Sequence, residues 1–139
     1  MQTFLPYSSF EKTAACLDFK RLGKQRVEAM QIYKIITGQS ISKAWRNHPA
    51  VSMWKNYEDA LAYYYNCIRR EWIKRGFKNN MPELEVSFDK LKMPWWIGEE
   101  KFYSSHRSNL KRKFSEFYNK YNWTEPDNLP YVWPTKVIP

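Results

Sequence analysis

Between Trp54 and Trp72 the large apolar residues Trp54, Tyr57, Leu61, Tyr65, Ile68 and Trp72 recur at three- and four-residue steps. An α-helix gathers such positions on one face, whereas a strand would send them to both. A stripe this apolar needs other helices to cover it. Two further segments qualify. One, from about Leu17 to Thr37, carries Leu22, Ala29, Tyr33 and Ile36, with Val27, Met30, Ile32 and Ile35 widening the face. The other, from about Glu99 to Tyr121, carries Phe102, His106, Leu110, Phe114, Phe117 and Tyr121. The expected fold is all-α: one compact helical domain over residues 1–139, with an irregular aromatic- and proline-rich C-terminal tail.

Local signals place the helix ends. Ser8 and Glu11 read as a capping box for a short first helix. Gly23 interrupts the second segment at a cost of about 1 kcal/mol against alanine. It marks either a break between two helices or a close approach of backbone or ligand. Gly38 stops that segment. Pro49 suits the first position of a third helix just after His48, which runs on through an i,i+4 Glu71–Arg75 pair to Gly76. The stretch QSISKAWRNHPAV reads as the loop entering it. Residues 79–98, with Pro82 and Pro94, read as irregular connection, with Trp95 and Trp96 as either a lid over the bundle or an exposed reading surface. Pro126, Pro130, Pro134 and Pro139 bar regular helix from the tail, whose Tyr131 and Trp133 are expected to pack across the bundle.

The balance of 23 Lys and Arg against 14 Asp and Glu gives a formal charge of +9, which suits a polyanionic partner such as duplex DNA. Cys16, Cys67 and two histidines offer no disulfide framework and no metal-ligand spacing, so neither metal nor cofactor is expected. MQTFLPYSSF lacks the pattern of a secretion signal, and no apolar run is long enough to span a bilayer. The reading is a reduced, cytoplasmic monomer with no membrane partner.

Two basic clusters stand out: Lys20, Arg21, Lys24 and Arg26, then Arg107, Lys111, Arg112 and Lys113. Each could hold phosphates or simply face solvent, and their convergence would decide. Asp18 and Glu28 bracket the first cluster, as catalytic carboxylates or as ion-pair partners. Arg46, Asn47 and His48 precede a helix, where histidine can move protons and asparagine can read a base edge, or either can cap. His106, on an apolar face, is a network residue or a second functional histidine.

The segments MQTFLPY, LDFKRLGKQRVEA, WRNHPAVSMWKNYEDAL, REWIKRGF, SHRSNL and LPYVWP together resemble small bacterial and phage proteins grouped with the pyrimidine-dimer DNA glycosylases, the phage endonuclease V family. The link to the characterised enzyme rests on length, the similar start, the Arg26-Val27 pair, and a histidine followed by a long segment ending KRGF. The resemblance implies a helical domain that clamps kinked duplex DNA. It also implies glycosyl-bond cleavage at a damaged pyrimidine followed by strand breakage through a Schiff base, without metal. An unprotonated amine would attack the sugar, and a carboxylate would stabilise the cationic intermediate.

The chain departs from that pattern. The family exposes its amine on a small residue after methionine removal, and Gln2 opposes such removal, so the amine would be that of Met1. With Arg26-Val27 aligned, the family's glutamate falls on Gly23 and its neighbouring arginine on Leu22. Glu28 or Asp18 would have to substitute. The reading is therefore a DNA glycosylase with abasic-site lyase activity on damaged or modified pyrimidines, with Met1 as nucleophile and Glu28 as acid-base partner. Arg21, Lys24, Arg26, Arg46, Asn47, His48, His106, Arg107 and Lys111 would contact nucleic acid. The alternatives are a non-catalytic nucleic-acid-binding protein, or a phage protein that modulates a host protein through Trp95, Trp96, Tyr131 and Trp133.

Overall fold

Ser9 rather than Ser8 starts the first helix. Its backbone is extended, and its Oγ accepts the Lys12 N–H at 3.0 Å. The computed structural model describes residues 1–40 and 45–134. Helix α1 spans Phe10–Cys16, α2 Phe19–Ile36, α3 Pro49–Ser52, α4 Glu58–Lys74, α5 Glu100–Lys113 and α6 Ser115–Tyr118, followed by a 3-10 turn at Asn119–Tyr121. Among the described residues there is no strand, and the protein is an all-α bundle. Part of the loop expected before Pro49, residues 41–44, and the tail beyond Pro134, including Pro139, lie outside the described residues.

The expected helices divide differently in three places. Helix α2 passes through Gly23 unbroken, because the missing side chain admits the Trp72 indole of α4. The long third helix is two, α3 and α4, separated by a turn in which Asn56 takes the left-handed conformation at φ 72°. Asparagine tolerates that region better than most residues. Glu58 and Asp59 then place negative charge in the first turn of α4, where the helix dipole favours it. The last helix ends at Lys113, since Phe114 leaves the helical conformation at φ −155°, ψ 69°. The kink swings α6 round so that Tyr118 is fully buried, and its hydroxyl donates to Asp18 Oδ1 at 2.5 Å and accepts the Asp18 N–H at 2.9 Å.

Helix α4 is the hub, with α1 and α2 both packed along it. Leu61, Tyr64, Tyr65 and Ile68 of α4 are fully buried, and with Trp54 they form the centre of the core. Trp96 closes one end, donating its indole N–H to the Met53 carbonyl at 2.9 Å, while Trp95 beside it is 39% exposed. The lid therefore consists of Trp96. Gly76, at φ 89°, ends the α4 segment as expected, and Arg75 pairs with Glu71 at 2.8 Å.

Candidate active site at the N-terminus

Four consecutive backbone N–H groups at the start of the chain are taken by side chains. Gln2 donates to Glu28 Oε2 at 3.4 Å, Thr3 to Gln2 Oε1 at 2.8 Å, Phe4 to Gln25 Oε1 at 2.9 Å and Leu5 to His106 Nδ1 at 2.8 Å. Residues 2–5 are buried and belong to no helix, so their polar groups need such partners. The remaining contacts reach every side of the bundle. Tyr64 of α4 donates to the Phe4 carbonyl at 2.8 Å, Trp54 to Thr3 Oγ1 at 2.9 Å, and Arg107 of α5 to the Pro6 carbonyl at 2.7 Å. The segment is thus fastened to α2, α4 and α5 together, and it holds Met1 at the rim of a cavity.

That cavity has a volume of about 280 Å³ and is lined by Met1, Gln2, Phe4, Arg21, Lys24, Gln25, Glu28, Lys113, Tyr131 and Trp133. Helix spacing explains the α2 contribution: residues 21, 24, 25 and 28 share one face. Lys113 comes from the last turn of α5, and Tyr131 and Trp133 from the returning tail. Three cationic side chains therefore surround one carboxylate. Arg21 also reaches Asp18 at 3.3 Å, and Asp18 is buried under Tyr118 as an ion-pair and hydrogen-bond partner outside the cavity.

The electrostatics are those of a crowded basic site. Burial, then the positive charges of Arg21, Arg112 and Lys24, hold the Lys113 amine below its ordinary value, with Glu28 opposing. Burial and then the Met1 amine lower the His48 imidazole, again against Glu28. His48 caps α3, its Nδ1 accepting the Ala50 N–H at 3.0 Å, and its ring meets Trp133 edge-on at 5.7 Å. It stands behind the aromatic wall of the cavity. Arg46 and Asn47 are exposed on the turn before α3 and do not line the cavity.

Four of the expected nucleic-acid contacts have other positions. His106 is fully buried, which closes it to a phosphate, and burial pulls its imidazole down to about 3. Arg107 pairs with Glu100 and with Glu125 at 2.8 Å, and Lys111 donates to the Trp123 and Glu125 carbonyls. These two cations strap the tail to α5. Arg26 lies 4.9 Å over the Trp72 ring and donates to Asn79 Oδ1 at 2.6 Å, on the side of α2 that faces α4. Sequence reasoning passed over Gln25, although its three-residue spacing from Glu28 put it on the same face. Nothing local announced that Tyr131 and Trp133 would return to this cavity.

Trp133 also borders a neighbouring apolar groove of about 490 Å³ with Trp95, Trp96 and Phe102. The four aromatics read as one protein-binding patch are thus divided, Tyr131 facing the basic cavity instead.

The all-α scaffold thus carries its N-terminus, a carboxylate and three cations into one cavity. The family model described as pyrimidine dimer DNA glycosylase matches residues 1–84, and the chain belongs to that family. Searches among curated proteins and among solved structures return no significant match. The matched part contains α1 to α4 and the Met1, Arg21, Lys24 and Glu28 side of the cavity; Lys113, Tyr131 and Trp133 lie beyond it. No helix among the described residues is long and apolar enough to cross a membrane.

Proposed function

We propose that the protein is a DNA glycosylase with abasic-site lyase activity, acting on a damaged or modified pyrimidine in duplex DNA. The observation that carries this reading is the meeting of Met1 and Glu28 in one cavity rimmed by Arg21, Lys24 and Lys113. In this reading the cations hold backbone phosphates while the nucleotide is drawn out of the stack. The unprotonated Met1 amine attacks C1′. The C1′–N bond breaks, and the base departs with the electron pair and takes up a proton. The sugar ring opens as the amine nitrogen loses a proton, O4′ gains one, and an imine forms at C1′. Glu28 stabilises this cation and accepts the C2′ proton; the electrons flow toward the imine, and the 3′ C–O bond breaks. Water then releases the sugar and regenerates the amine. The proton inventory closes without a metal.

The test is to incubate the protein with duplexes carrying an abasic site or a pyrimidine dimer, add borohydride, and map any adduct by mass. A reduced adduct on Met1 supports the reading, and comparison of the two duplexes separates lyase from glycosylase action. Salt-sensitive binding with no adduct would replace it with a non-catalytic DNA-binding protein or a glycosylase that uses water. Loss of both would favour a protein partner.

A further inference from the structure

We propose that Gln25 is the positioning residue of this site, setting the Met1 amine against the Glu28 carboxylate; the inference rests on the catalytic reading above. Gln25 is 1% exposed. Its Oε1 accepts from the Phe4 N–H at 2.9 Å and from the Tyr64 hydroxyl at 2.8 Å. Its Nε2 donates to the Gln2 carbonyl at 2.9 Å and to Glu28 Oε2 at 3.3 Å. A carboxamide has two donor hydrogens and two acceptor lone pairs. Here both hydrogens and the lone pair facing the Phe4 N–H are engaged, and the single Tyr64 hydroxyl proton is shared between Gln25 Oε1 and the Phe4 carbonyl.

The four partners are unlike one another. Gln2 and Phe4 belong to the segment that carries Met1. Tyr64 belongs to the hub helix α4. Glu28 is the carboxylate of the cavity, one turn along α2 from Gln25 itself. A single planar amide thus ties the carrier of the nucleophile, the acid-base group and the scaffold into one rigid unit. Packing alone does not call for this residue, since an apolar side chain of similar length would fill the same space and avoid burying a polar group. Glutamate would not substitute either. Its second oxygen would face the Gln2 carbonyl and the Glu28 carboxylate, where only a donor fits. The requirement for donors and acceptors at opposite ends of one short side chain selects glutamine.

Pre-organisation of this kind acts on the chemical step, because misplacement of a reacting group by about 1 Å can cost on the order of 100-fold in rate. Three variants separate positioning from mere stability. Gln25→Met keeps length and loses every hydrogen bond. Gln25→Glu keeps the acceptor and loses the donor until it is protonated. Tyr65→Phe removes a hydrogen bond of an equally buried tyrosine on α4, the one to the Pro82 carbonyl at 2.6 Å, and leaves Gln25, Glu28 and the N-terminal segment untouched. Each is assayed for thermal unfolding, for affinity toward an abasic-site duplex, and for the single-turnover rate of borohydride trapping at saturating duplex.

The expected result is a trapping rate at least ~10-fold lower in Gln25→Met with duplex affinity unchanged. Tyr65→Phe loses stability yet traps at close to the parent rate. In Gln25→Glu the rate relative to the parent at the same pH recovers as pH falls, because a protonated carboxyl can again donate to Glu28 or Gln2, and the ratio declines as pH rises. Rates that follow stability across all three variants, or parent-like trapping in Gln25→Met, would overturn the proposal. If the parent protein forms no adduct at all, the catalytic reading fails while the clamp can still be judged. Chemical acylation of the Met1 α-amine as a function of pH then serves as the readout. A profile displaced in Gln25→Met but not in Tyr65→Phe upholds the clamp, and identical profiles overturn it.

Discussion

Gly23 stands so close to Trp72 that a Cβ built on it would lie 3.0 Å from Cζ3 of the indole. The position on which the family's glutamate falls is therefore sealed against α4. Glu28 lies five residues further on, about 140° around the helix, where it faces the N-terminus instead. The carboxylate of this site occupies a different face of α2 from the one that alignment indicates.

Restoring a side chain at position 23 is expected to damage the scaffold. Trp72 is stacked on Phe77 at 4.4 Å, covered by Arg26, and bonded through its indole N–H to the Lys78 carbonyl at 2.9 Å, so it has little room to yield. Gly23→Ala should lower stability by about 1–2 kcal/mol, overpacking outweighing the gain in helix propensity. Gly23→Glu should lower it further and should not raise borohydride trapping. Urea denaturation beside the trapping assay checks both.

Glu28→Gln keeps the size of the side chain and can still accept the Gln2 N–H. It removes the negative charge that would stabilise the imine and take the C2′ proton. Trapping and strand cleavage should fall on the order of 100-fold or more, within the range lost with a general acid-base group. Duplex affinity should hold or rise, because the one carboxylate among three cations is gone. Parent-like turnover in this variant would remove Glu28 from the mechanism.

The cations of the cavity should separate from those that strap the tail. Replacing Arg21, Lys24 or Lys113 by Ala should weaken duplex binding and reduce the slope of log K against log salt by roughly 1 for each phosphate that the variant no longer neutralises. Arg107→Ala should leave that slope unchanged and lower the melting temperature, since Arg107 holds Glu125, Glu100 and the Pro6 carbonyl together. Titrations at several salt concentrations, with a thermal melt for each variant, distinguish the two groups.

Helical periodicity made the α-helical class legible, since a stripe such as Leu61, Tyr65 and Ile68 has no other economical fold. It also carried the reading too far, because apolar spacing continues across Asn56 and Phe114 where the backbone turns. A hydrophobic face records burial and is blind to a kink that keeps the same residues buried. The site was half visible. Met1, Glu28, Arg21 and Lys24 are local to the first 28 residues, and one helix face unites three of them. His106 and Arg107 misled because a sequence shows a charge or an imidazole without showing its partner, which here lies 101 residues away in the N-terminal segment. Tyr131 and Trp133 were beyond any local rule, since their place depends on the whole path of the tail.

His106 also links the N-terminal segment to acidity. Its Nδ1 accepts the Leu5 N–H, so the ring proton sits on Nε2, and the neutral form is the one the fold requires. Burial holds its folded pKa at about 3, below the ordinary 6.5. A depressed folded value means that the unfolded chain binds the proton first. The contribution of this group is therefore fully present above about pH 6.5, and it is lost as the pH falls toward 3. Thermal melts of the parent protein between pH 7 and pH 4 should show a progressive fall in Tm. His106→Leu removes the titrating group and leaves the Leu5 N–H without its acceptor, at a cost of about 1–3 kcal/mol at pH 7. Its Tm should accordingly start lower and decline less steeply with acid. Parallel curves for the two proteins would assign the acid sensitivity to other groups.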